Sequence, residues 1–321
     1  MFRHAIKLAG MLAVACLAPA AQAQPYPDKP VRLIVAYTPG GATDVIARIL
    51  AAKLSTSWGQ QVIVENKSGA SGMIGAEQVA RATPDGYTLL LAYTPEVSIN
   101  KLVYKQMRYD PLKDLQPIAL VADAPLVLVS GPKLPATTYS DLQRQGAKAP
   151  LVYGSPGMGG QQHLAGELLR VRSGMNLTHV PYRGTALAVA DLVGGQIDIF
   201  FATAPAIIGQ IGAGKLHPLF IAGPQRQSVL PSTPTAKEVG LDDFDLSNWF
   251  GLFGPAGMPP ALVERISKDT AQALQAADVK DKLQAQGLAI SYKPPQEFKT
   301  FIGAEMAKYG AIVKATGLEP Q

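Results

Sequence analysis

The feature that most constrains this chain is a strand–turn–helix alternation written twice along it. Val31-Arg32-Leu33-Ile34-Val35-Ala36 is rich in β-formers and runs into the turn Pro39-Gly40-Gly41. Residues 44–58 then carry apolar side chains at helical spacing, with Val45, Ile49 and Ala52 beside Ile46, Leu50 and Leu54. Val62-Ile63-Val64 predicts a second strand and residues 73–82 a second helix. Pro84-Asp85-Gly86 turns the chain into a third strand over residues 87–91. A strand–helix–strand–helix–strand order builds a parallel α/β sheet.

The middle of the chain repeats the logic. Leu151-Val152-Tyr153-Gly154 predicts a strand, followed by a glycine turn and a helix carrying Leu164, Leu168, Leu169 and Val171. His179-Val180-Pro181-Tyr182 comes next, then a helix over 185–193, a strand at Asp198-Ile199-Phe200-Phe201 and a helix over 206–211. Phe298, Ile302, Met306, Tyr309, Ile312 and Val313 form a helical stripe near the end. Apolar runs at 124–129 and 219–224 are the candidate crossings between the two units. The expected division is a targeting segment over 1–23, a first lobe over 24–124 and a second lobe over 125–222. Residues 223–321 are expected to return to the first lobe and finish in helices. Two lobes joined by two crossings make a hinge, and the cleft between them is the default ligand site.

The first residues read as a secretory signal. Arg3, His4 and Lys7 precede an apolar run that Pro19 breaks, and Ala21-Gln22-Ala23 fits a cleavage site after Ala23. A cleaved signal of this kind is expected to carry the mature chain out of the cytoplasm. The single Cys, Cys16, lies inside the segment, where a lipoprotein anchor is the rival reading. One Cys excludes a disulfide scaffold and a Cys-based metal site. Without residues 1–23 the charges are 27 basic against 24 acidic, and no basic run is interleaved with aromatics. Nucleic acid is therefore not an expected partner.

Three glycine turns could carry binding chemistry. Pro39-Gly40-Gly41-Ala42-Thr43-Asp44 follows a strand and opens a helix, where unpaired N–H groups and a positive partial charge meet a ligand. Thr43 is the candidate N-cap. Ser155-Pro156-Gly157-Met158-Gly159-Gly160 occupies the equivalent place in the second unit and matches neither a dinucleotide fingerprint, a phosphate loop nor a nucleophile elbow. Two such turns could face each other across a cleft as an anion cradle, or each could be an ordinary capped turn. Ser68-Gly69-Ala70-Ser71-Gly72 is the third, and Tyr93-Thr94-Pro95-Glu96 follows the third strand, at the end where open α/β sheets bind ligands. Glu96 either disfavours a polyanion there or points away.

The histidines argue against catalysis. Beyond residue 23 they are His163, His179 and His217, with no paired spacing that would suit a metal. No nucleophile–base–orienter set is evident, so no enzyme activity, metal or cofactor is expected.

A family resemblance enters through a series of motifs in order. They are Tyr26-Pro27-Asp28-Lys29-Pro30-Val31, Pro39-Gly40-Gly41-Ala42-Thr43-Asp44, Val64-Glu65-Asn66, Gly75-Ala76-Glu77 and Pro84-Asp85-Gly86-Tyr87-Thr88. His163-Leu164-Ala165-Gly166-Glu167, His179-Val180-Pro181-Tyr182-Arg183-Gly184, Gly194-Gly195-Gln196-Ile197-Asp198, Trp249-Phe250-Gly251 and Pro255-Ala256-Gly257-Met258-Pro259 follow. Together these resemble the Bug family of solute receptors of tripartite tricarboxylate transporters. The resemblance implies a type II periplasmic binding protein fold, two α/β lobes with a hinge and an interlobe cleft. It implies a carboxylate ligand held largely by backbone amides, no catalysis, and delivery to integral-membrane permease subunits. Its cradle falls on Gly40, Gly41, Ala42, Thr43 and Asp44, with Ser155, Gly157, Met158, Gly159, Tyr182, Arg183, Asp198 and Ala202 on the opposite lobe. Ser71, Tyr93 and Thr94 complete the expected site, and Arg183 is the side-chain candidate for a second carboxylate. Tyr37-Thr38-Pro39 departs slightly from the family's usual aromatic-Pro-Pro.

The expected function is thus a monomeric periplasmic receptor for a small carboxylate, whether a di- or tricarboxylate, an aromatic acid or an acidic amino acid. The alternatives are a secreted hydrolase or transferase using Ser155 with His163 or His179, which needs Ser155 Oγ within reach of an imidazole, and a sensor docking on a membrane signalling protein.

Overall fold

The computed structural model describes residues 26–320, so the expected signal, its cleavage site and Cys16 lie outside the described residues. The first unit is built on β1 (Val31–Val35), β2 (Val62–Asn66) and β3 (Thr88–Tyr93), with β1 parallel to both neighbours. Helix α1 (Ala42–Trp58) joins β1 to β2, and α2 (Met73–Ala80) joins β2 to β3. Side chains of β1 alternate between two cores: Leu33 and Val35 pack with Ile46 and Leu50, while Ile34 packs with Val79 and Phe298. Burial on both faces is why residues 33–36 read as a continuous apolar run, with Arg32 at the strand start paired to Glu65.

A long strand, β4 (Leu115–Ser130), links the units after a short α3 (Asn100–Val103). Beyond it come α4 (Tyr139–Gly146), β5 (Leu151–Ser155), α5 (Gln161–Ser173), β6 (Leu177–Pro181), α6 (Thr185–Gly194), β7 (Ile199–Ala202), α7 (Ala204–Gly212) and β8 (His217–Ala222). β5 lies parallel between β6 and β7, repeating the β2-β1-β3 arrangement. The chain closes with β9 (Ser247–Pro255), α8 (Pro260–Gln275), α9 (Ala277–Ala285), β10 (Ala289–Lys293) and α10 (Pro295–Thr316).

β4 belongs to both sheets. Its first part, Leu115 to Pro125, pairs antiparallel with β9, and its end, from Leu126, pairs with β7 and β8. The first sheet runs β2-β1-β3-β9-β4 with β10 added beside β4, and the second runs β6-β5-β7-β4 with β8 added. The switch at Pro125 and Leu126 falls within the apolar run 124–129.

The second crossing is β9, which begins at Ser247. The intervening 223–246 segment stays on the second unit. Ala236 N–H donates to Ile221 O, Leu246 N–H donates to Ala222 O, and the Phe244 ring packs on Phe201 and Phe220. Phe244 and Leu246 anchor this loop on the second core before the chain crosses. α10 also serves both units. Phe298 and Ile302 lie in the core of the first with Trp249, while Tyr309 lies in the core of the second and accepts a hydrogen bond from Gln161 Nε2 at 2.6 Å.

Candidate functional site

Each parallel strand ends where a helix begins, and the sheets aim these ends at one another. The result is an interlobe space in two compartments. The inner one is lined by Gly41, Ala42, Thr43 and Asp44 from the start of α1, Gln162 from the start of α5, Gly184, Thr185 and Ala186 at the start of α6, and Thr203 before α7. Tyr93, Asn248 and Phe250 floor it from the hinge side, with the rings of Tyr93 and Phe250 stacked at 6.0 Å. It leaves about 40 Å³ for the centres of water-sized molecules.

Four helix starts thus converge on one small space. The first N–H groups of a helix have no intrahelical acceptor and carry its positive partial charge. None of the four is capped by its own N-cap side chain: the caps are Gly41, Gly160, Gly184 and Thr203. Gly41, not Thr43, is therefore the N-cap of α1. Asp44 is not a free anion at the cradle. Its carboxylate accepts from Gly40 N–H, Asn66 Nδ2 and the Arg48 guanidinium. Burial disfavours its charge, yet those hydrogen bonds outweigh that penalty and hold the carboxyl below its ordinary range.

Two amide side chains face the inner space. Gln162 and Asn248 are 4% and 3% exposed, and their amide oxygens have no hydrogen-bond partner among the described residues. A buried amide left unsatisfied costs about 1–3 kcal/mol. No Lys or Arg lines this compartment.

The outer compartment, about 660 Å³, lies between the 68–72 loop with Tyr104 on one side and Pro156, Gly157, Met158 and Pro181–Gly184 on the other. Tyr37, Thr38 and Gly184 line both compartments and form the neck between them. Gly184 sits at φ +126°, and a Cβ there would come within 2.8 Å of Thr38 Oγ1. The lobes also bond directly at the mouth. Ser71 Oγ donates to Met158 O at 3.0 Å and Tyr104 OH donates to the same carbonyl at 2.7 Å. Ala70 and Ser71 both hold positive φ to present this contact. The jaw is shut.

Of the residues expected from sequence, Gly41, Ala42, Thr43, Asp44 and Tyr93 come together on the inner compartment, and Ser71, Gly157, Met158, Tyr182 and Arg183 on the outer. Gly40, Thr94, Ser155, Gly159, Asp198 and Ala202 line neither. Thr94 Oγ1 accepts the Trp249 N–H, and Gly159 N–H donates to His163 Nδ1. Asp198 precedes β7 at the end away from the cleft and accepts the Val152 N–H. Ala202 is buried just before Thr203, the cleft residue of that strand. Gln162, Thr185, Thr203 and Asn248 were not anticipated. Thr185 and Thr203 carried a readable signal, a polar residue opening a predicted helix and one between a predicted strand and a predicted helix. Asn248 carried none.

Ser155 does meet an imidazole: its Oγ is 2.6 Å from His179 Nε2. It is also 2.7 Å from Gly157 O, fully buried, and lines neither compartment. His179 stacks on His163 with ring centroids 3.8 Å apart. Burial, and then the neighbouring His163, push His179 down to about 3, so it is neutral at pH 7. The pair clamps the 155–160 turn, and neither Ser155 nor His179 lines either compartment.

Glu96 lies under the neck, fully buried. Its Oε2 accepts from Tyr37 OH at 3.2 Å while Oε1 has no partner. Burial pushes it up to about 8, against the opposing hydrogen bonds of two backbone N–H groups and Tyr37. It is neutral at pH 7 and lines neither compartment. Among the described residues no three His, Cys, Asp or Glu side chains group as metal ligands.

The comparisons with known proteins agree with this geometry. The family described as the tripartite tricarboxylate transporter family receptor, TctC, matches residues 46–318. The chain is 35% identical to Protein BugT of Bordetella pertussis (strain Tohama I) over 309 residues, 95% of each chain. Among solved structures it is similar to Rpa4515 of R. palustris with adipate, at TM-score 0.90 and 33% identity over 92% of this chain and all of that one. It is also similar to MatC of Rhodopseudomonas palustris with bound malate, at TM-score 0.83 and 29% identity over 90% of this chain and all of that one. With a two-lobed α/β fold, an interlobe space lined by helix starts and matches along nearly its whole length, the chain belongs to the TctC family of tripartite tricarboxylate transporter receptors.

Proposed function

We propose that this solute receptor takes a carboxylate into the inner compartment and holds it by main-chain N–H groups from both lobes. The observation that carries the reading is the meeting of four helix starts with the amide side chains of Gln162 and Asn248, whose oxygens lack partners, in a space lined by no Lys or Arg among the described residues. Micromolar affinity needs about 8 kcal/mol. Hydrogen bonds to a charged group supply roughly 1.5–3 kcal/mol each, so four or five donors suffice without a salt bridge. The adipate and malate in the related structures belong to the same chemical class.

The protein acts as a receptor and not as an enzyme. We place it in the periplasm after removal of residues 1–23, as a monomer that presents the loaded, shut form to the permease subunits of its transporter. The 35% relationship to BugT and the family match support that reading.

A thermal-shift panel of aliphatic, aromatic and amino-acid carboxylates tests it. At a hundredfold excess over Kd a true ligand adds about 2.7 kcal/mol, a rise of roughly 4 °C at this size. A panel that moves nothing overturns the ligand class.

A further inference from the structure

We propose that Glu96 is a positioning residue for closure. By carrying a proton it sets Tyr37 to hold the 68–72 loop in the form that meets the opposite lobe, so ligand capture weakens when that proton leaves. The part concerning capture rests on the carboxylate reading; the hydrogen-bond chain does not. The accounting starts from one phenol. Tyr37 OH lies 3.0 Å from Ser71 O and 3.2 Å from Glu96 Oε2. A phenol has one proton, so it cannot donate to both acceptors at once. Glu96 Oε2 is an acceptor while it holds no proton and a donor once it holds one. As a donor it bonds to the Tyr37 oxygen and frees the phenolic proton for Ser71 O. The three groups then form one directed chain, Glu96 to Tyr37 to Ser71, in which each hydrogen bond polarises the next. As a carboxylate, Glu96 draws the phenolic proton to itself, because a charged acceptor is the stronger one. Ser71 O then faces a tyrosine lone pair and keeps Asn100 Nδ2, at 2.8 Å, as its donor.

The chain bears on closure because of where Ser71 stands. Its Oγ donates to Met158 O across the mouth. Its backbone, at φ +49°, sits where residues with a side chain are uncommon, so the loop needs fixed partners to stay there. Gly72, at φ +85°, lies directly on the pair. A Cβ there would stand 2.6 Å from Glu96 Cγ and 2.7 Å from Tyr37 OH. Glu96 reaches this place from a single π-helical turn, Pro95–Ile99, and Tyr109 OH ties that turn down by donating to Glu96 O at 2.7 Å. The surroundings favour the protonated acid. Glu96 is fully buried, and the titratable groups that act on it are the phenols of Tyr37, Tyr93 and Tyr109. Charged side chains of the elements around it are paired elsewhere: Lys101 of α3 with Asp110, Glu77 of α2 with Arg81, and Glu305 of α10 with Lys308. Tyr309 of α10 accepts from Gln161. With no cation set against it, burial pushes the Glu96 carboxyl up to about 8.

The empty receptor tests the chain, and a carboxylate tests its effect. In 13C-detected spectra taken from about pH 6 to about pH 9.5, the Ser71 carbonyl should shift with a midpoint near 8. Glu96→Gln, whose amide N–H donates to Tyr37 at every pH, should hold that carbonyl at its low-pH position. Tyr37→Phe removes the relay and should abolish the response. In calorimetric titrations, adipate and malate should bind about two- to tenfold more weakly at about pH 9.5 than at about pH 6.5, a range over which both acids stay ionised. At about pH 8.5 binding should take up protons, read from the heat in buffers of different ionisation enthalpy. Glu96→Gln should keep the low-pH affinity throughout and take up none. A Ser71 carbonyl that ignores the titration of Glu96, or an alkaline loss of affinity that persists unchanged in Tyr37→Phe, overturns the proposal and leaves the carboxylate reading intact. Failure of both acids to bind at about pH 6.5 overturns the carboxylate reading, and the Ser71 response then decides the chain alone.

Discussion

Gly184→Ala should separate the energetics of closure from those of folding. The residue lies at φ +126° and ψ 163°, a region that residues with a side chain avoid. Alanine there costs about 1–3 kcal/mol whether the jaw is open or shut. Its Cβ also meets Thr38 Oγ1 at 2.8 Å, and this contact joins opposite sides of the neck. Opening relieves that second term alone. Turning the Thr38 side chain aside costs about 0.5–1.5 kcal/mol, so affinity should fall about two- to tenfold. Thr38→Ala removes the colliding atom. In a double-mutant cycle the pair should recover the affinity lost in Gly184→Ala and match Thr38→Ala alone, while the loss of melting temperature persists. The assay is calorimetry with the tightest acid of the panel, beside thermal melts without ligand. Affinity unaffected by Gly184→Ala, or a loss that Thr38→Ala does not relieve, would refute the claim that closure brings these residues together.

Other perturbations have distinct signatures. Ser71→Ala removes the donor to Met158 O and should weaken binding by about 0.5–1.5 kcal/mol, seen in stopped-flow as faster ligand release. Asn248→Leu should hold or raise the melting temperature of the empty protein, because a buried amide whose oxygen lacks a partner is replaced by an apolar group, yet abolish the ligand-induced shift. Glu96, raised to about 8 from an ordinary 4.5, binds more protons folded than unfolded across that window. Its stabilising contribution is full below pH 4.5 and is lost as pH rises through 8, and melts of Glu96→Gln should lack that decline. His179, depressed to about 3, works in the opposite sense. Its contribution is full above pH 6.5 and is lost as pH falls toward 3, so His179→Gln should flatten the acid limb of the same melt series.

The sequence exposed the strand–helix alternation because both parallel sheets are buried on two faces. Val31–Val35 and Ile199–Ala202 announce themselves as apolar runs, and each ends at a glycine or polar turn. The glycine turns were equally legible, since a helix start that must approach a ligand through its backbone has little choice of residue. What could not be read was set by distance along the chain. Asn248 reaches the floor of the inner space because β9 pairs with β3 and β4, and nothing near residue 248 signals that. The 223–246 segment holds to the second unit through Phe244 and Leu246, among residues whose local pattern reads as a solvated acidic turn. Ser155 ends a strand that points to the cleft and Asp198 precedes one at its far end, and their side chains satisfy imidazole and backbone partners inside the lobe. Motif position located the strands correctly and could not tell which residues along them face the space.

The central claim is that main-chain donors of both lobes grip one carboxylate. A 15N–1H correlation titration with the tightest acid of the panel measures it directly. The account predicts that the amides of Gly41, Ala42 and Thr43 and those of Gly184, Thr185 and Ala186 shift together, saturating at one ligand concentration. Shifts confined to one lobe, or to residues outside both compartments, would contradict it.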